Sequence, residues 1–271
     1  MSGSGYGRRL LAMAGGFVAM ILAPAVAVAD TAAQMMSHRG LYSMSLQTSS
    51  RTSDVAQLGG HMVLEIADTC DGWTLEQRVA LIFTTVVGDE VASYTSFTSW
   101  EADDGQRFHF EQQTRQGNVL IDELSGDAKL NGDQGGVAML DKPYLVEVAL
   151  PPGTVFPNMH TEMLIKRAAA GDTFFNRIVF DGTSVDNPNH VTAFIGAPID
   201  GPRLAQDEQA PRVWPVRLAF FQIDAQNPEP DVGIGLLLEP NGVTRAIELD
   251  YGSFVIDGRL DELEFIPPID C

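Results

Sequence analysis

From Met36 onward the apolar positions recur mainly every second residue. Between Trp73 and Phe83, Trp73, Leu75, Val79, Leu81 and Phe83 share one parity while Thr74, Glu76 and Arg78 hold the other. That is a strand with one buried face, because successive strand side chains point to opposite sides of a sheet. Ala80 and Ile82 blur the end of the alternation. The same period predicts strands over 40–48, 61–68, 90–101, 107–114, 144–150, 173–180, 191–195, 216–223, 233–239, 243–250, 253–256 and 260–265. Asp104-Gly105, Asp181-Gly182, Asn241-Gly242 and Asp257-Gly258 punctuate the runs with residues that tolerate positive φ, as two-residue hairpin turns require. The gaps leave no room for crossover helices, so the sheet should be antiparallel and the fold class all-β.

One helix interrupts the strands. Pro157 suits a first helical position, Met159, Met163 and Ile165 to Ala170 continue without a breaker, and Gly171 follows where a left-handed cap is wanted. A second, shorter helix is expected at 31–36. The segment 196–215, rich in proline and acidic residues, reads as a flexible flap or lid. Tyr94 and Trp100 face one way along their strand and Phe97 the other, and Phe174-Phe175 and Phe220-Phe221 repeat that two-sidedness. A curved sheet covered on both faces would account for it, with either a packed core or a ligand cavity inside. Met159 and Met163 would plug such an interior or line an adaptable groove. No period of 20 to 50 residues signals a solenoid or propeller.

The first residues set the compartment. Arg8-Arg9, an apolar run from Leu10 to Ala23, and small residues ending Ala27-Val28-Ala29 make a secretory signal, with cleavage expected after Ala29. The arginine pair lacks the neighbours of a twin-arginine signal, so ordinary Sec export to the periplasm is expected, and no cysteine near the cleavage site invites a lipid. The mature chain of 30–271 should then be one soluble domain without a transmembrane segment. Export also decides the cysteines: Cys70 and Cys271 are the only two, and in an oxidising compartment an even count reads as a disulfide. The competing reading, a thiol nucleophile at Cys70, lacks a C-x-x-C partner or a helix start to acidify it.

Charge narrows the partners. With 17 basic against 36 acidic residues the net charge is −19, more negative still once Arg8 and Arg9 are removed. Such a surface repels phosphate backbones and anionic headgroups, which excludes nucleic acid and electrostatic membrane binding.

Catalytic signatures are near misses. Asp127 to Asp133 begins like a calcium loop but places Lys129 at a ligand position. The 186–190 stretch, Asp-Asn-Pro-Asn-His, is oxygen-rich in the way loops are. His109 and Glu111 share a strand face without a third ligand at a recognisable spacing. No nucleophile elbow or phosphate loop occurs, and no metal or cofactor is expected. A secreted hydrolase assembled from His109, Glu111 and the carboxylates at Asp122-Glu123 is the alternative reading.

Several blocks carry a family likeness: the opening from Met36 to Leu46 with His38, Arg39, Gly40 and Tyr42, the block Cys70-Asp71-Gly72-Trp73 running into Arg78, the hairpin from Phe97 through Trp100 to Gly105, and the terminal Cys271. Together they resemble the cell envelope integrity protein EipB family of Gram-negative bacteria, over essentially the whole mature chain. The resemblance implies an incompletely closed antiparallel β-barrel, wound as a spiral, that is periplasmic, non-enzymatic and needed for the envelope's barrier. It implies that Cys70 and Cys271 are the disulfide pair. It assigns no binding role to His38, Arg39, Gly40, Tyr42, Asp71, Gly72, Trp73, Arg78 or Trp100. The function expected on this basis is a scaffold or binding module of the envelope, meeting envelope proteins or holding a lipid or lipoprotein segment.

Overall fold

A computed structural model describes residues 34–185, 188–223 and 229–271. The expected signal peptide lies outside the described residues. Eight strands form an unbroken antiparallel meander: β1 (His38–Ser49), β2 (Val55–Asp68), β3 (Gly72–Thr85), β4 (Glu90–Ala102), β5 (Arg107–Gln116), β6 (Val119–Leu130), β7 (Gly136–Lys142) and β8 (Val146–Leu150). Then come β9 (Thr154–Val155), the helix α1 (Pro157–Ala169), β10 (Phe174–Val179), β11 (Asn189–Ile195) and β12 (Ile199–Asp200). The chain finishes with β13 (Arg212–Gln222), β14 (Val232–Leu238), β15 (Thr244–Asp250) and β16 (Phe254–Phe265).

Long strands twist, and a twisted sheet of this breadth curls. Here β16 returns to pair antiparallel with β1, so the order runs from β8 down to β1, then β16, β15, β14, β13, β11, β10 and β9. The outer strands β8 and β9 are neighbours in the chain but share no ladder, which leaves a nearly closed barrel of 15 strands with an unsealed seam. The link β9 to β10 is the one parallel pairing among these strands, with α1 as its crossover. Side chains close the seam where backbone does not. Phe108 and Phe110 of β5 meet Phe156 and Phe180 from the far side, with ring centroids 5.1 to 6.3 Å apart.

An antiparallel meander gives the barrel two rims. The β2–β3, β4–β5 and β6–β7 turns lie on one, and the β3–β4, β5–β6 and β7–β8 turns on the other. Helix α1 plugs the first. Pro157 opens it, and Leu164, Ile165 and Ala168 are buried against β10, β11 and β13 on one wall and Ile66 of β2 on the other. Glu101 at the end of β4 accepts the N–H of Asn158 at 2.7 Å and of Met159 at 2.9 Å, satisfying helix-start donors that have no intrahelical partner. The segment 196–215 was expected to be a flap, but from Arg212 it belongs to β13, and the remainder is strapped down on the same rim. Leu204 packs on the core, Gln206 donates to the Leu263 carbonyl at 3.2 Å, and Asp207 pairs with Arg245 at 2.8 Å.

Other expectations are corrected. Among the described residues no helix precedes β1: Gln34 to Met36 have no regular structure, Met36 donating its N–H to the Asn241 carbonyl at 2.9 Å, and 31–33 lie outside the described residues. Asp257-Gly258 is not a turn. It lies inside the single strand β16, where a Cβ on Gly258 would come within 2.9 Å of the Met44 sulfur, so the glycine serves close packing. β6 and β7 were not predicted, because Gly126 and Ala128 make the inner face of β6 small and its Asp127 looked like a turn. Tyr94 is 44% exposed, so the two-sided aromatic pattern of β4 does not mean two-sided burial.

Candidate functional site

The motif positions divide among three places. Three face inward on β1 or support it. Tyr42 is fully buried and donates its hydroxyl to the Thr244 carbonyl at 2.8 Å, and burial raises its pKa. Gly40 lies against that ring, where a Cβ would meet Tyr42 at 2.8 Å and Leu260 at 2.9 Å. The His38 ring bonds the Met36 carbonyl through Nδ1 at 2.7 Å, its Nε2 has no partner, and desolvation holds its pKa below the usual value despite the pull of Glu239. Beside them is a buried charge cluster: Arg245 bonds Glu239 through Nε and Asp207 through Nη1. Burial works against the Arg245 charge, but its two carboxylate partners outweigh it and raise the pKa.

The second place is the β2–β3 turn. Cys70 adopts φ of +69°, a left-handed position where glycine is usual, and its N–H bonds the Asp68 carboxylate at 2.9 Å. It is bridged to Cys271, with Cα atoms 5.7 Å apart. The tail after β16 therefore crosses the rim past β1, with the Ile266 N–H on the Ser37 carbonyl at 2.9 Å on the way. Asp71 accepts the Asp103 N–H through its carbonyl, Trp73 packs against the α1 core, and Trp100 donates to Thr69 at 3.3 Å under the Arg107 guanidinium. Gly72 must be glycine, since a Cβ would overlap the Glu101 carbonyl. The third place is the outer wall, where Arg39 pairs with Glu65 and Glu264, and Arg78 with Glu76 at 3.0 Å. These nine positions do not converge on one pocket. Those on β1, Arg39 apart, and in the turn lie within or beside the plugged rim and its staple.

The hydrolase candidates are also dispersed. His109 pairs with Asp127 at 3.0 Å on the exposed outer wall, and Gln113 stands between Glu111 and Glu123 at 3.3 Å from each. Asp122 takes a bond from Gln112 at 3.1 Å. Asp127 to Leu130 of the calcium-like stretch are strand. No group of three His, Cys, Asp or Glu residues is placed to hold a metal among the described residues.

Among the described residues, two hollows are large enough for a ligand. One, of about 670 Å3, is a shallow trough on the outside of β11 and β13 to β16, floored by Pro215, Gly235 and Ala246 and edged by Phe194 and the Arg217–Glu248 ion pair. The other, of about 630 Å3, is inside the barrel. Phe220, Ile234 and Leu249 line one wall and Gln77 of β3 the opposite one, its amide 3.0 Å from the Met62 sulfur. Its mouth lies at Tyr251, Asp231 and Thr183, in the connections β15–β16, β13–β14 and β10–β11. All three belong to the rim opposite α1. The interior is thus packed at one end and hollow at the other. The alternation of Phe220, Ile234 and Leu249 was readable as inward-facing, but nothing in the sequence said which inward-facing residues would lack a neighbour.

A family profile described as EipB-like matches residues 29–267. The cell envelope integrity protein EipB of Brucella abortus (strain 2308) is 33% identical over 248 residues, which cover 88% of this chain and 87% of that relative. A crystal structure of a β-barrel-like protein from Brucella abortus superposes with a TM-score of 0.78 at 30% identity, covering 86% of this chain and 99% of that one. Barrel topology and the sequence match agree: the chain belongs to the EipB-like family.

Proposed function

We propose that this chain works in the periplasm as a non-catalytic module of cell envelope integrity, and that its interior hollow holds an apolar chain, an acyl group or a lipoprotein segment. Export rests on the N-terminal signal, with residues 1–29 removed. Envelope integrity is what the Brucella relative's name ascribes to that protein. The observation that carries the container reading is the interior hollow of about 630 Å3, walled by Phe220, Ile234 and Leu249 and opening, among the described residues, at the rim opposite α1. Its size is that of small-molecule sites, and its apolar wall gives way to Asp181, Asn189, Gln222 and Asp231 toward the mouth. Gln77, the polar group on the facing wall, would fix the orientation of a ligand head or ester.

The test is direct. Protein purified after export, extracted with organic solvent and analysed by mass spectrometry, should release lipid, and a fluorescent fatty acid should bind and be displaced by an unlabelled one. Ile234→Trp, which fills the hollow, should weaken the probe about tenfold, the loss expected when a ligand's apolar contacts are displaced. An empty extract together with an unresponsive probe would reject the container and leave a filled structural module.

A further inference from the structure

The two rims differ in chemistry. On the plugged rim the hairpin turns read Thr69-Cys70-Asp71, Asp103-Asp104-Gly105-Gln106 and Asn131-Gly132-Asp133-Gln134-Gly135, polar apart from the bridged cysteine. The exposed apolar residues Met36, Ile199, Phe265 and Ile269 lie on the flanking segments and not on hairpin tips. On the open rim three successive hairpins carry large apolar residues at their tips. Val86 and Val87 of the β3–β4 turn are 62% and 80% exposed, and Tyr144 and Leu145 of the β7–β8 turn are 60% and 74% exposed. Between them Val119, Leu120 and Ile121 of the β5–β6 hairpin are 65%, 41% and 49% exposed. Ile82 and Tyr94 continue the patch down the outer wall, Tyr94 standing opposite Arg115 and Arg115 opposite Leu120.

Single exposed apolar residues are ordinary, but seven on three adjacent tips of one rim are a patch that marks an interaction site. We propose that this rim docks on the surface of a zwitterionic lipid bilayer. Three features favour a bilayer over a folded partner. The residues crown three separate hairpins, which suits a soft apolar layer better than a rigid complementary face. Tyr144 beside Leu145 is the pairing of an interfacial aromatic with an apolar anchor. The mouth of the interior hollow opens on the same rim, so a membrane beneath the tips presents its acyl chains to the container. The headgroup follows from charge. On these hairpins Asp89, Glu90, Asp122 and Asp141 outnumber Arg115 and Lys142, so anionic lipid is repelled and the attraction is apolar.

Docking extends the container reading but does not depend on it, and the two fail separately. The purified protein is mixed with vesicles of phosphatidylethanolamine and phosphatidylcholine and floated on a density gradient. It should rise with the vesicles, undiminished at about 0.5 M salt, where electrostatic attachment would be screened away. The combined variant Val87→Asp, Leu120→Asp and Leu145→Asp should lower the bound fraction at least about tenfold, since binding scales with buried apolar area. Its melting temperature and its affinity for a soluble fatty-acid probe should stay unchanged, whereas Ile234→Trp should lose the probe and still float. Tyr144→Trp should gain fluorescence quenching by brominated lipid. Native protein that stays at the bottom of the gradient, or a triple-Asp variant that floats equally well, overturns the proposal. A dimer that the Asp substitutions dissolve, seen without vesicle binding, also overturns it and makes the rim a contact between copies.

Discussion

His160 sits in α1 with its ring stacked on Phe175 at 5.4 Å, its Nε2 unpartnered, and Arg177 close enough to oppose a proton. Burial first and Arg177 second lower its pKa from 6.5 to about 4. The unfolded chain therefore takes up this proton before the folded one does, and the fold loses stability as pH falls from 6.5 toward 4, by about 3 kcal/mol in all. Glu101 runs the other way. Burial raises its pKa from 4.5 to about 7 against the pull of the two helix N–H groups. Its folded form holds the proton more tightly, so its contribution is complete below pH 4.5 and disappears as pH rises through 7. The two effects are of similar size and nearly cancel in the native protein. Urea denaturation at pH 5 and pH 7 should separate them: His160→Phe should be more stable at pH 5 than at pH 7, and Glu101→Gln less stable. Two variants with the same slope as the native protein would refute both assignments.

Among the elements, α1 shows what was legible and what was not. Its limits followed from Pro157 and Gly171, and the observed Pro157–Ala169 agrees. Its position across one rim did not follow, because a helix of 13 residues can cover a sheet from either side and only long-range contacts choose. Leu164, 2% exposed, makes those contacts. Leu164→Ala should cost about 3 kcal/mol in urea denaturation through the cavity it leaves, while Lys166→Ala, which breaks an exposed pair with Glu162, should cost under about 0.5 kcal/mol. Equal losses would mean that α1 is a lid on the barrel and not a plug. Strand periodicity was legible where bulky residues alternate, as from Trp73 to Phe83. It failed where small ones do the same work, at Gly126, Ala128 and Gly258, since a glycine demanded by a close neighbour is indistinguishable in sequence from one demanded by a turn. The candidate site was the least legible part, because a hollow is made of missing neighbours.

At the scale of the molecule, closure is shared between a ladder and a covalent bond. The β1–β16 ladder joins the chain's two ends, and the Cys70–Cys271 bridge, spanning 201 residues, holds the tail across the rim. Loop-closure entropy assigns such a bridge at most about 5 kcal/mol. Cys271→Ser should accordingly melt at a lower temperature than the native protein under oxidising conditions, and the difference should vanish when both are reduced. Native protein that melts alike in both states would show that the β1–β16 ladder alone holds the ends together.

The seam between β8 and β9 completes the picture. Pro151-Pro152-Gly153 links the two lips directly, so they are leashed by the chain though unzipped along their backbones. Parting them breaks no ladder bond, but it pulls on the Glu101 bonds to the start of α1 and on the core packed around Phe156 and Phe180. On the proposed container reading, a thick cargo would enter by a sideways yawn of the wall that costs packing and the Glu101 bonds but no strand ladder, which a fully hydrogen-bonded cylinder would forbid.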